Sequence, residues 1–174
     1  MDEAELRAEL ERYHPRSYGW ALSCCAHDRT EAADVLQTVY LKVLQGAARF
    51  DGRAAFKTWL FAVIRNTAAA ERRRHWLRRL KWAASGRDTA AEVQPADQAA
   101  GMERAEQLQA FKAALARLPR RQQEVLHLVF YQDLSLTEAA EAMGVGIGSA
   151  RTHYERGKRR LRELLRPWER ADED

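Results

Sequence analysis

With 174 residues, 46% of them hydrophobic and 31% charged, the chain is long enough to bury a core either as one domain or as two small helical ones. Its net charge of +4 is unevenly spread: the N-terminus and the final ERADED are acidic, while basic residues gather from Arg65 to Arg87 and again from Arg151 to Arg166, as two separate contacts with an acidic polymer require. No apolar run approaches the roughly 20 residues of a membrane-spanning helix and the acidic N-terminus is unlike a secretory signal, so a cytoplasmic protein is expected.

Leu6, Leu10 and Tyr13 mark a short amphipathic helix that Pro15 is expected to interrupt, a second helical run then carrying Tyr18, Ala21, Leu22 and Cys25 inward. The adjacent Cys24 and Cys25 have neither zinc-site spacing nor a disulfide framework, and read as reduced core thiols. His14 and His27 lack the rest of a ligand set, so no metal and no other cofactor is expected. Asp28 and Glu31 have the form of a capping box opening a helix that ends near Gly46. Ala32, Val35, Leu36, Val39, Val43 and Leu44 form its inward stripe, which leaves Asp34, Gln37, Thr38, Leu41 and Lys42 outside. That mixed face is ordinary surface or a modest protein-docking face.

Asp51 and Gly52 signal a turn in the loop Arg49 to Ala55. The stretch Phe56 to Arg79 follows, apolar at its start through Phe56, Leu60, Val63 and Thr67 and cationic at its end. Arg65, Arg72 and Arg73 fall on one side of this helix, with Asn66, His75 and Trp76 among the cations. Guanidinium groups bind phosphate and flat rings stack on exposed bases, so single-stranded nucleic acid suits this surface; a solvated arginine face beside core tryptophans is the other reading. Trp59, on the apolar half, reads as core.

Ser85 to Gly101 has small residues, Pro95 and few large apolar side chains, the composition of a flexible connector. Helical period returns from Met102 to Arg117, Leu118-Pro119 ends it, and a further helix holds Val125, Leu126, Leu128 and Val129. Ser135 and Glu138 form another capping box, opening a short helix over Leu136 to Met143; Gly144 then permits a tight turn into a second helix. Ala150 and Tyr154 face inward there, and Ser149, Arg151, Thr152, Glu155 and Arg156 outward, followed by Lys158 and Arg159. This is a helix-turn-helix pattern or a generic helical hairpin with a basic face. No strand pattern is visible, and no Gly-rich phosphate loop, nucleophile elbow or HExxH pattern suggests an enzyme. The fold class expected is all-α, two small helical domains joined by a flexible linker.

In order and composition these parts resemble the bacterial RNA polymerase sigma factors, in particular their small two-domain extracytoplasmic-function group. AADVLQTVYLKVL at Ala32 to Leu44 is similar to the family's polymerase-docking helix and WLFAVIRNTAAAERRR to its promoter-melting helix; LPRRQQEVLHLVF and SLTEAAEAMGVGIGSARTHYERGKRRL resemble the domain that binds the minus-thirty-five element. The resemblance implies a region 2-like domain over residues 1–82, a linker over 83–103 and a region 4-like domain over 104–174. It implies core polymerase, through its clamp and flap regions, promoter DNA both duplex and single-stranded, and an anti-sigma protein as partners. Asp34, Gln37, Thr38, Leu41 and Lys42 would meet the polymerase. Phe50, Lys57, Arg65, Asn66, Arg72, Arg73 and Trp76 would capture the minus-ten strand, with a base entering a pocket under the loop. Ser149, Arg151, Thr152, Glu155, Arg156, Lys158 and Arg159 would contact the minus-thirty-five element. The chain departs from the family at Ala33, Thr38 and Ala70, where acids are usual, at Gly146, where a hydroxyl is usual, and at Glu155, so promoter preference does not transfer. A stand-alone helix-turn-helix regulator, with residues 1 to 80 as a sensor or dimer domain, is the alternative, and a sequestering protein that mimics the fold is a third.

Overall fold

The computed structural model describes residues 1–83 and 111–169. The chain divides into two compact units, Met1–Pro95 and Ala96–Asp174, and the regular structure among the described residues is entirely helical. Of the expected linker 83–103, Ala83 ends a helix and the rest lies outside the described residues.

In the first unit α1 (Glu3–Cys24), α2 (Arg29–Leu44) and α3 (Phe56–Ala83) each pack on the other two. Leu10, Ala21, Cys24, Val35, Val39, Leu60, Phe61 and Ile64 close the core around Trp20, which is fully buried. An indole enters a core when its N–H finds an acceptor, and Trp20 Nε1 donates to the Phe61 carbonyl at 2.9 Å, tying α1 to the second turn of α3. Cys24 and Cys25 are both buried, and neither is in a disulfide.

Pro15 does not interrupt α1, which runs unbroken through it. Proline costs about 3 kcal/mol inside a helix, but Pro15 is on the exposed side while Leu10 before it and Ser17, Trp20, Ala21 and Cys24 after it are buried along one stripe, and that burial outweighs a lost backbone bond. The helix starts on a complete capping box unremarked in the sequence: Asp2 Oδ1 accepts from Glu5 N at 2.8 Å and Glu5 Oε2 from Asp2 N at 2.9 Å. At α2 half of the expected box forms, Asp28 Oδ1 accepting from Glu31 N at 2.9 Å. Between α1 and α2, Ala26 and His27 adopt left-handed φ of 51° and 66°, a strain of about 1 kcal/mol or more each, held by His27 N donating to Leu22 O at 2.8 Å.

In the second unit residues 111–116 are helical, and α4 (Arg120–Phe130), α5 (Leu136–Met143) and α6 (Ile147–Glu169) follow. Val125, Leu126, Leu128, Ala139, Ala140, Met143 and Ala150 fill the core. The Ser135–Glu138 capping box forms as expected, and Gly144 closes α5 at φ 63°, ψ 40°, a conformation glycine takes without penalty. Its N–H donates to the Ala140 and Glu141 carbonyls, and α6 starts three residues later, making the turn of a helix-turn-helix.

Candidate nucleic-acid and partner interfaces

The outer face of α2 is a small, mixed surface. Ala33, Asp34 and Gln37 are exposed and Leu41 is 50% exposed at its centre. Leu44, expected inside, is 42% exposed and continues the aliphatic strip one turn on, while Val35, Val39 and Val43 of the stripe are buried. Thr38 and Lys42 are half-buried. Lys42 leans toward α3, its Nζ 3.3 Å from Thr67 Oγ1, so it flanks the face rather than standing out from it.

Along α3 the character changes sharply. Leu60, Phe61, Ile64, Thr67 and Ala68 are buried, whereas Arg73 to Leu80 are exposed, Trp76 at 60%. Arg65 is half-buried beside Asn66, with Nη1 3.5 Å from Asn66 Oδ1. Arg72 differs from its neighbours: its Nη1 donates to the Cys24 carbonyl at 2.6 Å and so closes the C-terminal end of α1, a structural contact that spacing in the sequence does not show. At the other end of α3, Phe50 from the loop stands edge-on to Phe56 with ring centroids 5.3 Å apart and 5.4 Å from Trp59. Gly46 and Gly52, both at positive φ, shape this loop.

Under the loop lies an open cleft of about 550 Å³. Phe50, Trp59, Arg49 and Gly52 form one side, and Met1, Asp2 and Leu6 at the start of α1 line it as well, a wall not read from the sequence because it comes from residues some fifty positions away. Trp59 is half-buried and part of this cleft as well as of the aromatic packing. Phe50 and the half-buried Lys57 thus belong to the cleft end of α3. Trp76 sits about 25 Å further along at ~1.5 Å per residue, so the expected strand-binding residues form two stations on one rod.

On α6, Ser149, Arg151, Thr152, Glu155, Arg156 and Arg159 are all exposed, and the buried Ala150 and Gly157 define the opposite side. Thr152 Oγ1 donates to the Gly148 carbonyl at 2.9 Å, which commits its proton and leaves a lone pair and a methyl outward. Lys158 is half-buried, its Nζ 4.8 Å from the centre of the Tyr154 ring and 4.0 Å from Glu155 Oε1. Tyr154 in turn stacks on Phe130 of α4 at 6.0 Å. A buried carboxylate escaped the sequence reading: Glu124 on α4 accepts from Arg120 Nε at 2.9 Å and Arg121 Nη1 at 3.2 Å, and Arg121 also reaches the Met143 carbonyl at the end of α5, 3.4 Å away. Its signal was an acid inside the apolar period of α4, three and four residues after two arginines.

Among the described residues no group of three or more His, Cys, Asp or Glu is placed to hold a metal; His14 instead meets the Tyr40 hydroxyl at 3.0 Å. No described helix is long and apolar enough to cross a membrane.

The two units correspond to two family models, sigma-70 region 2 over residues 10–78 and sigma-70 region 4 over residues 108–161. The chain is 30% identical over 162 residues to the ECF RNA polymerase sigma factor SigX of Bacillus subtilis, covering 88% of this chain and 81% of SigX. The chain belongs to the extracytoplasmic-function group of RNA polymerase sigma factors. As a sigma factor it is a promoter-directing protein of transcription initiation, and the stand-alone regulator is not favoured. It is also 30% identical to SigM of Mycobacterium tuberculosis over 160 residues, 90% of this chain and 76% of that one. Among solved structures it is similar to the sigma factor RpoE in complex with the anti-sigma factor NepR from Bartonella quintana, with a TM-score of 0.72, 26% identity, and coverage of 93% of this chain and 97% of RpoE.

Proposed function

We propose that this sigma factor works without catalysing a reaction of its own, in the cytoplasm, and that its two domains, residues 1–82 and 104–174, divide the work. The face of α2 around Asp34, Gln37 and Leu41, flanked by Thr38 and Lys42, docks on the clamp of core polymerase, and the second domain meets the flap. α6 enters the major groove of the minus-thirty-five element. Arg151, Thr152, Glu155 and Arg156 stand toward base edges there, while Ser149, Lys158 and Arg159 hold phosphates.

The observation that carries the minus-ten assignment is α3 itself, buried up to Ala68 and exposed and cationic from Arg73 on, with an aromatic-walled cleft at its start. A base reaches such a cleft once it has left the duplex, so a protein that binds it there favours the separated strand and drives melting. Phe50 and Trp59 supply the ring surfaces, Lys57, Arg65 and Asn66 lie on the path along the rod, and Arg73 and Trp76 form the second station. Arg72 contributes charge next to them while its guanidinium holds α1.

The test is promoter-dependent transcription with purified core polymerase on a duplex template and on the same template pre-melted. Arg73→Ala and, separately, Phe50→Ala are expected to lose transcription on the duplex and regain it on the bubble. Equal loss on both templates, in proportion to lost core binding, sinks strand capture. The likeness to a sigma factor solved with an anti-sigma protein supports a similar inhibitor for this chain. Such an inhibitor competes with core polymerase, so excess core is expected to displace it.

A further inference from the structure

In the middle of the 23-residue α6 stands a buried glycine, Gly157, between Arg156 and Lys158. Glycine is among the poorest helix formers, and at a position with room alanine would serve better. Here there is no room. A Cβ built on Gly157 lies 3.1 Å from Leu126 Cδ1 and 3.2 Å from Gln122 Cβ, both on α4. Leu126 is 1% exposed and hemmed in by the core, and the Gln122 Cβ is fixed to the α4 backbone, so neither simply swings aside. A side chain at 157 therefore parts α4 and α6 by a few tenths of an ångström.

That parting becomes a tilt. The start of α6 is held by the buried Ala150 and by the Gly144 turn, and the end of α5 is tied to α4 through Arg121 Nη1, 3.4 Å from the Met143 carbonyl. Arg151, Thr152, Glu155 and Arg156 lie between this anchor and Gly157. Hydrogen bonds to base edges have narrow limits of distance and angle, whereas long Lys and Arg side chains follow a phosphate through small shifts. We propose that Gly157 is a positioning residue for promoter recognition: by letting α4 and α6 close on each other it sets the angle at which α6 meets base edges, and with it sequence discrimination rather than general DNA affinity. The inference rests on α6 being the base-reading helix.

The test uses the full chain assembled with core polymerase, and a pool of duplexes randomised across the upstream promoter element. After selection by the wild-type holoenzyme, the best duplex and a scrambled one are titrated over a range of salt. Gly157→Ala is expected to lower the ratio of selected to scrambled affinity about tenfold, as for a misaligned base contact, with scrambled affinity and the salt slope within about twofold of wild type. Adding Leu126→Val withdraws the Cδ1 atom that the new methyl meets, while the Gln122 Cβ stays 3.2 Å away, and is therefore expected to recover only part of that ratio, about twofold. An unchanged ratio or a parallel fall on both duplexes for Gly157→Ala overturns the proposal. Arg151→Ala separates the two layers: if it changes the selected motif while Gly157→Ala leaves the ratio intact, only the positioning role fails. If Arg151→Ala changes nothing, base reading by α6 fails and the positioning role with it.

Discussion

Replacing Arg72 by alanine tests whether an arginine in the basic stretch serves the fold before it serves DNA. The guanidinium donates at 2.6 Å to the Cys24 carbonyl, in part-buried surroundings, at the end of α1 where that helix leaves carbonyls without partners inside it. A hydrogen bond to a charged group contributes about 1.5–3 kcal/mol, and a cation at a helix C-terminus adds ~0.3–1 kcal/mol. A loss of about 2–4 kcal/mol follows, which at roughly 4–8 °C per kcal/mol for a domain of this size lowers the melting temperature by about 8 °C or more. Trp20, Trp59, Trp76 and Trp82 belong to the first unit and Trp168 alone to the second, so tryptophan emission during thermal unfolding reports chiefly on the affected unit. Arg73→Ala, at an exposed position, is the control and is expected to cost less than ~0.5 kcal/mol. If Arg72→Ala melts within about 2 °C of wild type, or if Arg73→Ala costs as much, the contact is not holding α1 and the reasoning is refuted. The outcome also decides how DNA experiments are read, since a double variant at Arg72 and Arg73 would mix unfolding with lost phosphate contacts.

Charge reversal at Asp34 combined with Leu41→Ala is expected to weaken core polymerase binding about tenfold or more in a titration, with helix content by circular dichroism unchanged, because both side chains are exposed. Replacing Ser135 by Ala removes one half of the α5 capping box and is expected to cost about 1 kcal/mol of stability in chemical unfolding of the second unit. Lys158→Ala is expected to weaken all duplexes alike and to flatten the salt dependence, in contrast to Arg151→Ala, which should change preference at one base position. Burial pushes the Tyr40 hydroxyl above the usual phenol range. The folded state therefore keeps this proton to higher pH than the unfolded chain does, so its contribution is complete below the ordinary phenol pKa of about 10 and is lost as pH rises beyond it. Tyr40→Phe is expected to flatten the fall of melting temperature above that pH.

What the sequence by itself determined is whatever a local period or a short-range cap encodes. The Ser135–Glu138 box, the Gly144 turn and the exposed set Ser149, Arg151, Thr152, Glu155 and Arg156 stand where their spacing put them, because each depends on neighbours within one or two helical turns. The all-α class and the division into two helical units, the second carrying a helix-turn-helix, were legible for the same reason. Tertiary structure decided the rest wherever a residue answers to a distant partner. Pro15 stays inside α1 because burial on both sides of it outweighs one missing backbone bond. Leu44 turns outward because α1 and α3 cover only part of α2. Arg72 looks like one phosphate ligand among several until the end of α1, 48 residues earlier, is brought beneath it. The cleft under the loop takes a wall from Met1, Asp2 and Leu6, and Gly157 acquires a reason only when α4 lies against it, since helical periodicity says which side of a helix is buried but not how closely the next helix approaches.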